Sequence, residues 1–487
     1  MSHHPALSRT ALAATALALL MSNAAAQKIP AATERRSTLD DQQSVAVTIY
    51  NEDLALVKEV RNVTMDAGVN RIALRDVSAR LRPETALLRS LSHPGSLELL
   101  EQNFDFDLLT PEKLLAKHVG QTVRVVKTHY AAGVPVETLE PAQVLAASSG
   151  VVLKMGDRIE TGVPGRIVFN AVPANLRDRP TLVSELQSKR AGAQQLELSY
   201  LSGGLSWQAD YVAELSADDG ALDLNGWVTL NNRSGTAYSN AKLQLVAGDV
   251  NRVRDQMQRA RLSGAMAELA APAAKAVAQE SLFEYHLYTL GRATTLADNQ
   301  TKQVALLSAT AVPTKKELLL QGSPHYYSDS VGNIGSRIKV AVFMEFANRE
   351  SARLGMPLPK GVVRVYKRDS AGNAQFVGED RIEHTPKNDT VRLNLGNAFD
   401  VTADKKQTDF RRRDPNSRAY ESAYEIVLRN AKAEAVSVTV REPVPGDWTM
   451  LDESSKHEKV AAGTAQWRVS VAAGGSTTLK YRVLTRW

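Results

Sequence analysis

Alternation of apolar and polar residues with a period of two recurs along most of the chain, and it constrains the fold more than any other feature. Residues 44–50 (SVAVTIY) alternate, residues 54–63 continue the pattern after a short turn, and residues 68–74 add a third segment. Valine, isoleucine, threonine and tyrosine in alternation between turn residues are typical of half-buried strands. The sequence therefore predicts a mainly β protein that opens on a small antiparallel sheet.

Similar segments continue to the end of the chain. Residues 195–215 carry long alternating strands with a hinge at Gly203 and Gly204, and the last third of the chain holds six more segments: 338–346, 361–366, 424–429, 436–441, 466–471 and 477–483. So many short alternating strands in one stretch favour two packed antiparallel sheets. We predict an immunoglobulin-like β-sandwich there.

Turn spacing and composition divide the chain into predicted domains. These are the first part of an N-terminal β domain (27–109), a small SH3-like barrel insert with closely spaced glycines and prolines (110–178), a central β domain (179–334) and the C-terminal sandwich (335–487). Residues 252–280 are rich in alanine and glutamine and form a predicted connector within the central domain. A loop of this length in a β domain is either mobile or functional.

Residues 1–26 have the layout of a cleavable secretory signal. A weakly basic start with Arg9 precedes an apolar run over residues 10–21, and Ala24 and Ala26 stand at the positions that a signal peptidase reads. The run is shorter than the roughly 20 residues that cross a bilayer. The sequence therefore predicts cleavage after Ala26 and a periplasmic or secreted protein with no transmembrane segment after cleavage.

Charge and cysteine content narrow the classes of function. The formal net charge is +6, and the basic and acidic residues are interleaved along the chain. A nucleic-acid-binding protein concentrates its positive charge on one face or arm, so we expect no nucleic-acid partner. The chain has no cysteine, which excludes thiol catalysis, iron–sulfur clusters and cysteine-based zinc sites.

Several segments together resemble one known bacterial family. They are residues 48–61 (TIYNEDLALVKEVR), 198–215 (LSYLSGGLSWQADYVAEL), 227–250, 283–307, 365–389, 395–410 and 441–451 (REPVPGDWTML). In this order they resemble the exported domain-of-unknown-function family 4139, whose relatives include the mucoidy inhibitor A-like proteins. The resemblance implies an exported, β-rich architecture and supplies no reaction or catalytic residues. This chain lacks the long coiled coil of the mucoidy-inhibitor-like members.

The most polar constellation contains Glu379, Asp380 and His384. Two carboxylates and a histidine within six positions have the chemistry to bind a cation or to run acid–base catalysis. The preferred interpretation is a strand edge and hairpin whose charges face water, because spacing alone fixes no geometry. The histidines do not pair at ligand-like spacing, so we predict no metal site and no cofactor.

Tryptophans are the other candidates for a binding surface. Stacked indole rings bind sugars, but Trp207 and Trp227 lie in alternating strands where packing in the core explains them. Trp448, in a Pro-Gly-Asp turn, is the best candidate for an exposed ring and hence for binding.

These observations favour a non-catalytic exported protein that binds or scaffolds components of the cell envelope, with an envelope protein or glycan as its partner. The alternative is a periplasmic hydrolase of envelope glycan or peptide that uses Glu379, Asp380 and His384. A third interpretation, peripheral membrane association, depends on an amphipathic helix at residues 252–266.

Overall fold

The alternating segments form strands in the computed structural model, which describes residues 33–173, 176–248, 278–282, 285–413 and 418–487. The predicted signal at residues 1–26, and residues 252–277 of the predicted connector, lie outside these ranges. Antiparallel and mixed sheets make up most of the described chain, so the predicted mainly β class is confirmed. Within these ranges, no helix reaches the length and apolar content required to cross a bilayer.

The elements follow one another in a fixed order. The first strands are β1 (Glu34–Ser37), β2 (Gln42–Tyr50), β3 (Leu54–Met65), β4 (Gly68–Arg75), β5 (Leu87–Ser90) and β6 (Leu97–Asp105). Helix α1 (Pro111–Ala116) precedes β7 (Thr122–Ala131), β8 (Val134–Ala146), β9 (Val152–Met155), β10 (Arg158–Thr161) and β11 (Arg166–Val168). Then come β12 (Thr181–Ser188), β13 (Gly192–Ser202), β14 (Leu205–Leu215), β15 (Ala221–Asn232), β16 (Tyr238–Ala247), β17 (Ala278–Leu282), β18 (Tyr285–Thr289) and β19 (Thr294–Leu296).

The remaining strands include the longest of the described chain. They are β20 (Gln300–Gln321), β21 (Asn333–Ala347), β22 (Gly361–Arg368), β23 (Ala374–Ile382), β24 (Thr390–Arg412), β25 (Ala419–Asn430), β26 (Val436–Pro443), β27 (Asp447–Glu453), β28 (Glu458–Ala461), β29 (Thr464–Val471) and β30 (Ser476–Arg486). Short 3-10 turns occur at Leu39–Asp41, Pro83–Thr85, Pro324–Tyr327 and Glu350–Ala352.

Two sheets share the N-terminal core. One has the order β1-β4-β12-β6, and the other contains β17-β18-β16-β2-β3-β13-β5. Their inward residues, such as Ile72 and Leu182 from the first sheet and Val47 and Leu198 from the second, belong to one buried cluster. β2 pairs in parallel with β16, so the first strands are held by a segment nearly two hundred residues later.

Strand β20 connects two cores. Its first part pairs with β15, and its last part pairs with β21 and β26. Leu306 of β20 lies in the same core as the N-terminal sheets, whereas Leu320 lies in a second core built from the later strands. β14 also pairs in parallel with β22, across the predicted boundary at residues 334 and 335. The domain boundaries and the immunoglobulin-like arrangement stay predictions.

The insert has its own sheet, in the order β10-β9-β8-β7-β11, and its own small core. Leu115 of α1 packs there with Val125, Val144 and Leu153. Within the described residues the sheet is open, because β10 pairs there with β9 alone and β11 with β7 alone. The predicted barrel is therefore wrong. Glycines and prolines shorten β9, β10 and β11 to three or four residues, so the sheet ends before it can close.

Buried asparagines stand at the ends of three long strands. Asn232 is the last residue of β15, Asn430 is the last residue of β25, and Asn348 directly follows β21. Each donates its side-chain amide to three backbone carbonyls of adjoining loops and strand ends. Buried carbonyls require such partners, so the amides replace the ladder where each strand stops.

Replacing Asn348 by alanine tests this role. Its Nδ2 lies 2.8 Å from the Met356 oxygen, 3.3 Å from the Thr385 oxygen and 2.9 Å from the Pro386 oxygen. Because alanine removes three hydrogen bonds to these carbonyls and also the Oδ1 acceptor of the Gly355 N–H, we expect Asn348→Ala to lower the free energy of unfolding by about 3 kcal/mol in urea denaturation. Asn333→Ala, at an exposed asparagine of the same strand, is the control and should stay within about 0.5 kcal/mol of wild type. Equal losses in the two variants would contradict the role.

Candidate functional site

The two carboxylates of the predicted polar constellation lie on β23 and point in different directions. Glu379 and Asp380 are consecutive in the strand, so their side chains leave opposite faces of the sheet. Glu379 forms an ion pair with Arg364 Nε at 3.2 Å. Asp380 Oδ2 instead accepts a hydrogen bond of 2.7 Å from the backbone N–H of Asn394 on β24. Each carboxylate therefore ties β23 to a different strand.

His384 follows the end of β23 and is half-buried. Its Nδ1 accepts a hydrogen bond of 3.2 Å from the backbone N–H of Lys360, and its Nε2 lies 3.4 Å from Nδ2 of Asn51. These contacts lead to the loop before β22 and to the turn between β2 and β3. Among the described residues, no group of three histidine, aspartate or glutamate side chains is placed to hold a metal ion. A catalytic centre at Glu379, Asp380 and His384 stays a prediction that these contacts do not support.

Trp448 is buried, with 7% of its surface exposed. The turn before β27 directs this strand along β30, where Trp448 stands opposite Thr485 and faces the second core. Its indole N–H donates to the Ala462 carbonyl at 2.8 Å, and the His457 ring lies 5.4 Å away. The expectation that Trp448 presents an exposed ring is wrong, because the turn residues precede a strand that packs inward.

A buried ion pair lies in the second core. Lys405 Nζ on β24 is 2.6 Å and 2.7 Å from the two carboxylate oxygens of Glu442 on β26, and both side chains are almost fully buried. Tyr327 donates its hydroxyl to Glu442 at 2.9 Å and lies 2.9 Å from the hydroxyl of Tyr481. A Cβ at Gly322 would lie 2.0 Å from Glu442 Oε2, so any other residue there would displace the carboxylate from Lys405.

Aromatic rings surround this ion pair. Tyr424 stacks on Tyr481 with 5.0 Å between the ring centroids, and Lys405 Nζ lies 4.8 Å from the centroid of Tyr326. Burial raises the pKa of Tyr424 to about 12, and burial next to Glu442 raises the pKa of Tyr327 further above its ordinary value. The phenols therefore stay protonated and serve as donors. The ion pair is enclosed by side chains, which fits a structural role.

A second buried polar network joins the N-terminal sheets to the segments of the family resemblance. Ser78 Oγ lies 2.6 Å from Ser202 Oγ and donates to the Ser234 carbonyl at 3.0 Å. The Ser78 N–H donates to the hydroxyl of Tyr200 at 3.2 Å, and Ser234 Oγ lies 3.1 Å from the hydroxyl of Tyr238. All five residues are buried, so these hydroxyls fix loops against one another rather than meet a substrate.

A cavity of about 120 Å³ lies where the insert returns to β12. Arg177 lines it and hydrogen-bonds Glu34 at 2.7 and 2.8 Å and Asp105 at 2.9 Å. The hydrogen bonds from Arg177 lower the pKa of Glu34, which therefore stays ionised. Arg75 of the same cavity pairs with Asp178. Ligand pockets usually enclose about 300 Å³ or more, so this cavity is too small for a sugar.

The hairpin of β7 and β8 projects beyond the core of the insert. Residues 128–139, which we call the insert arm, are all exposed although Thr128 to Ala131 pair with Val134 to Glu137 in a regular ladder. A two-residue turn with positive φ at Ala132 and Gly133 closes it, which matches the twist of the two strands. Its large apolar side chains include Tyr130, 76% exposed, Val134, 62% exposed, and Leu139, 55% exposed. This arm could not be recognised from the sequence. All of its residues are exposed, so it lacks the buried face that produces alternation in a half-buried strand.

A comparison with family models tests the family membership that the sequence segments suggested. The model described as "Domain of unknown function (DUF4139)" matches residues 196–487. The chain belongs to the DUF4139 family. The predicted membership is thereby confirmed, whereas export and the relation to mucoidy inhibitor A-like proteins stay predictions. A comparison with curated proteins found no match.

The DUF4139 region begins within β13 and contains both the Lys405–Glu442 ion pair and the asparagines at the strand ends. The insert arm lies before it in the chain. The buried polar residues of this region therefore stabilise the fold, and the arm is a separate feature.

Trp448→Ala tests whether this tryptophan belongs to the core of the DUF4139 region. Removing a buried indole should lower the free energy of unfolding by about 3–5 kcal/mol, measured by circular dichroism in urea. Trp487→Ala, at a half-exposed tryptophan, is the control and should cost less than about 1 kcal/mol. A Trp448→Ala protein that unfolds like wild type but loses binding to an envelope glycan would restore the binding interpretation.

Glu442→Gln tests the buried ion pair. It leaves the charge of Lys405 unpaired in the core, so we expect a loss of about 3–5 kcal/mol in the same unfolding measurement. Adding Lys405→Met to Glu442→Gln should recover part of that loss. The control is Lys406→Met, at the next residue of β24, which breaks a surface ion pair with Glu425. It should lower the free energy of unfolding by less than about 1 kcal/mol. A double variant that is no more stable than Glu442→Gln would contradict this assignment.

Proposed function

We propose that this DUF4139 protein is an exported component of the cell envelope that binds or scaffolds other envelope components and catalyses no reaction. The sequence of residues 1–26 supports the exported location. The insert arm carries the binding part of the proposal. The long strands shared by two cores support the scaffold part.

The insert arm supports binding because it places apolar surface where the fold does not use it. Among the described parts of the chain, all residues of the arm are exposed. A two-stranded hairpin of this kind is only marginally stable by itself, and its apolar side chains lose nothing by meeting a partner. Ion pairs hold the base of the arm, from Lys127 to Glu140 at 2.7 Å and from Arg166 to Glu137 at 2.7 Å. The arm is thereby presented in a defined direction.

The long strands support a scaffold because they fix the orientation of one core relative to the other. β20, β21 and β24 each run through two parts of the large sheet, so the orientation of the second core follows from the first. A framework of this kind keeps binding surfaces at fixed separations. The partner expected from the sequence, an envelope protein or glycan, stays a prediction. No contact of Glu379, Asp380 or His384 favours the alternative of a hydrolase.

Binding to isolated envelopes tests the proposal. The chain without residues 1–26 is mixed with washed envelopes, and the fraction that sediments with them is measured. We expect clear retention of wild type and a several-fold lower retention of Tyr130→Ser/Leu139→Ser, because this change removes apolar surface from the arm.

The control variant is Phe376→Ser/Phe399→Ser, which removes side chains that are 55% and 96% exposed elsewhere on the surface. It should sediment like wild type. If wild type is not retained, or if the two double variants are retained equally, binding through the arm is wrong.

A further inference from the structure

The tip of the insert arm carries no lysine, arginine, aspartate or glutamate over nine consecutive residues. Residues 128–136 read THYAAGVPV, and the nearest charges are Lys127 and Glu137 on either side. Every residue of this stretch is exposed. An uncharged run of this length at the end of a projecting hairpin is unusual on a protein surface, where charged residues normally keep hairpin edges soluble.

Both faces of the tip are apolar. Tyr130 pairs with Pro135 across the hairpin, so these two side chains share one face. Ala131 pairs with Val134 on the opposite face. A groove on a protein partner covers one face of a hairpin and leaves the other in water, whereas a lipid layer surrounds both faces. The two-sided pattern therefore favours lipid.

The free edge of the hairpin also favours lipid over a protein partner. β8 pairs with β9 only from Gln143 onward, so within the described residues its earlier part has a free edge. Pro135 and Pro141 lie on that edge and remove two N–H groups, which disfavours addition of a strand from a protein partner. They also reduce the number of polar groups that insertion would dehydrate.

From these observations we infer that the tip of the insert arm docks on the surface of a lipid bilayer. The inference rests on the proposed function and identifies the lipid bilayer as the envelope component that the arm binds. Docking is shallow, with residues 130–135 at the level of the headgroups, because the remaining backbone groups on the hairpin edges need water. Tyrosine suits this interface, since its ring is apolar and its hydroxyl stays hydrated.

The charges below the tip are already paired. Glu140 binds both Lys127 at 2.7 Å and Arg158 at 3.0 Å, and Glu137 binds Arg166. Arg158 also binds Glu160 at 2.8 Å, so these three cations and three carboxylates leave no net positive charge directly below the tip. Binding should therefore be similar on phosphatidylcholine vesicles and on vesicles that contain phosphatidylglycerol, and should depend little on salt.

A fluorophore at the tip gives the direct test. The chain has no cysteine, so Val134→Cys creates a single site for an environment-sensitive nitrobenzoxadiazole label. We expect its emission to rise and shift to shorter wavelength when phosphatidylcholine vesicles are added. The matched control is the same label on Phe399→Cys, a fully exposed site on β24, which should not respond.

Flotation with the same vesicles gives the second measurement. Tyr130→Ser/Val134→Ser should lower the vesicle-bound fraction of the chain without residues 1–26 by roughly tenfold, because two apolar side chains are lost from the inserted tip. Phe376→Ser/Phe399→Ser should float like wild type. Circular dichroism and the urea midpoint show that each variant is folded, and the label at residue 134 reports on an otherwise intact tip.

The outcomes separate the two proposals. If wild type sediments with envelopes but does not bind vesicles, the envelope partner is a protein or a glycan and the lipid inference is wrong. If wild type binds vesicles without a response of the label at residue 134, the docking surface lies elsewhere and the inference is also wrong. If neither envelopes nor vesicles are bound, both the proposed function and the lipid inference are wrong.

Discussion

The hydrogen-bond ladder of β20 is the interaction on which the rest of the structure depends. One strand of this length pairs with β15 at one end and with β21 and β26 at the other. Its side chains enter two separate cores, with Leu306 in the first and Leu320 in the second. Because the backbone is continuous through both, neither core can change its orientation without breaking the ladder. The insert, which has a small core of its own, is outside this constraint.

Buried polar groups complete the framework wherever the ladders end. The amides of Asn232, Asn348 and Asn430 satisfy loop carbonyls, and the Ser78 network and the Lys405–Glu442 pair satisfy groups between sheets. Such groups are costly to leave unpaired, so each fixes one arrangement of its neighbours. Most of them lie within the DUF4139 region. Residues of this kind hold segments that are far apart in the chain in one arrangement.

The sequence was informative where one face of a strand is buried. Residues 44–50 and 361–366 fall within β2 and β22, and the hinge at Gly203 and Gly204 separates β13 from β14. It was uninformative where that periodicity is absent: β24 carries charges along its length, and the insert arm is exposed on both faces. Trp448 was misjudged because turn residues before it suggested exposure, whereas its burial depends on contacts with distant strands. The paired carboxylates of β23 were visible as a cluster in sequence, but the alternation of a strand separates them in space.

The parallel pairing of β2 with β16 has a consequence for how the chain becomes folded. Thr48 and Gln244 are hydrogen-bonded across 196 positions, and Tyr211 of β14 donates to the Pro359 carbonyl across 148. The sheet that contains β2 therefore cannot be completed until β18, which ends at Thr289, has been synthesised, and the large sheet waits for β30, which ends at Arg486. Contacts of such long range slow folding, because a large loop must close before any of them forms. The N-terminal sheets thus stay incomplete while much of the remaining chain is being synthesised.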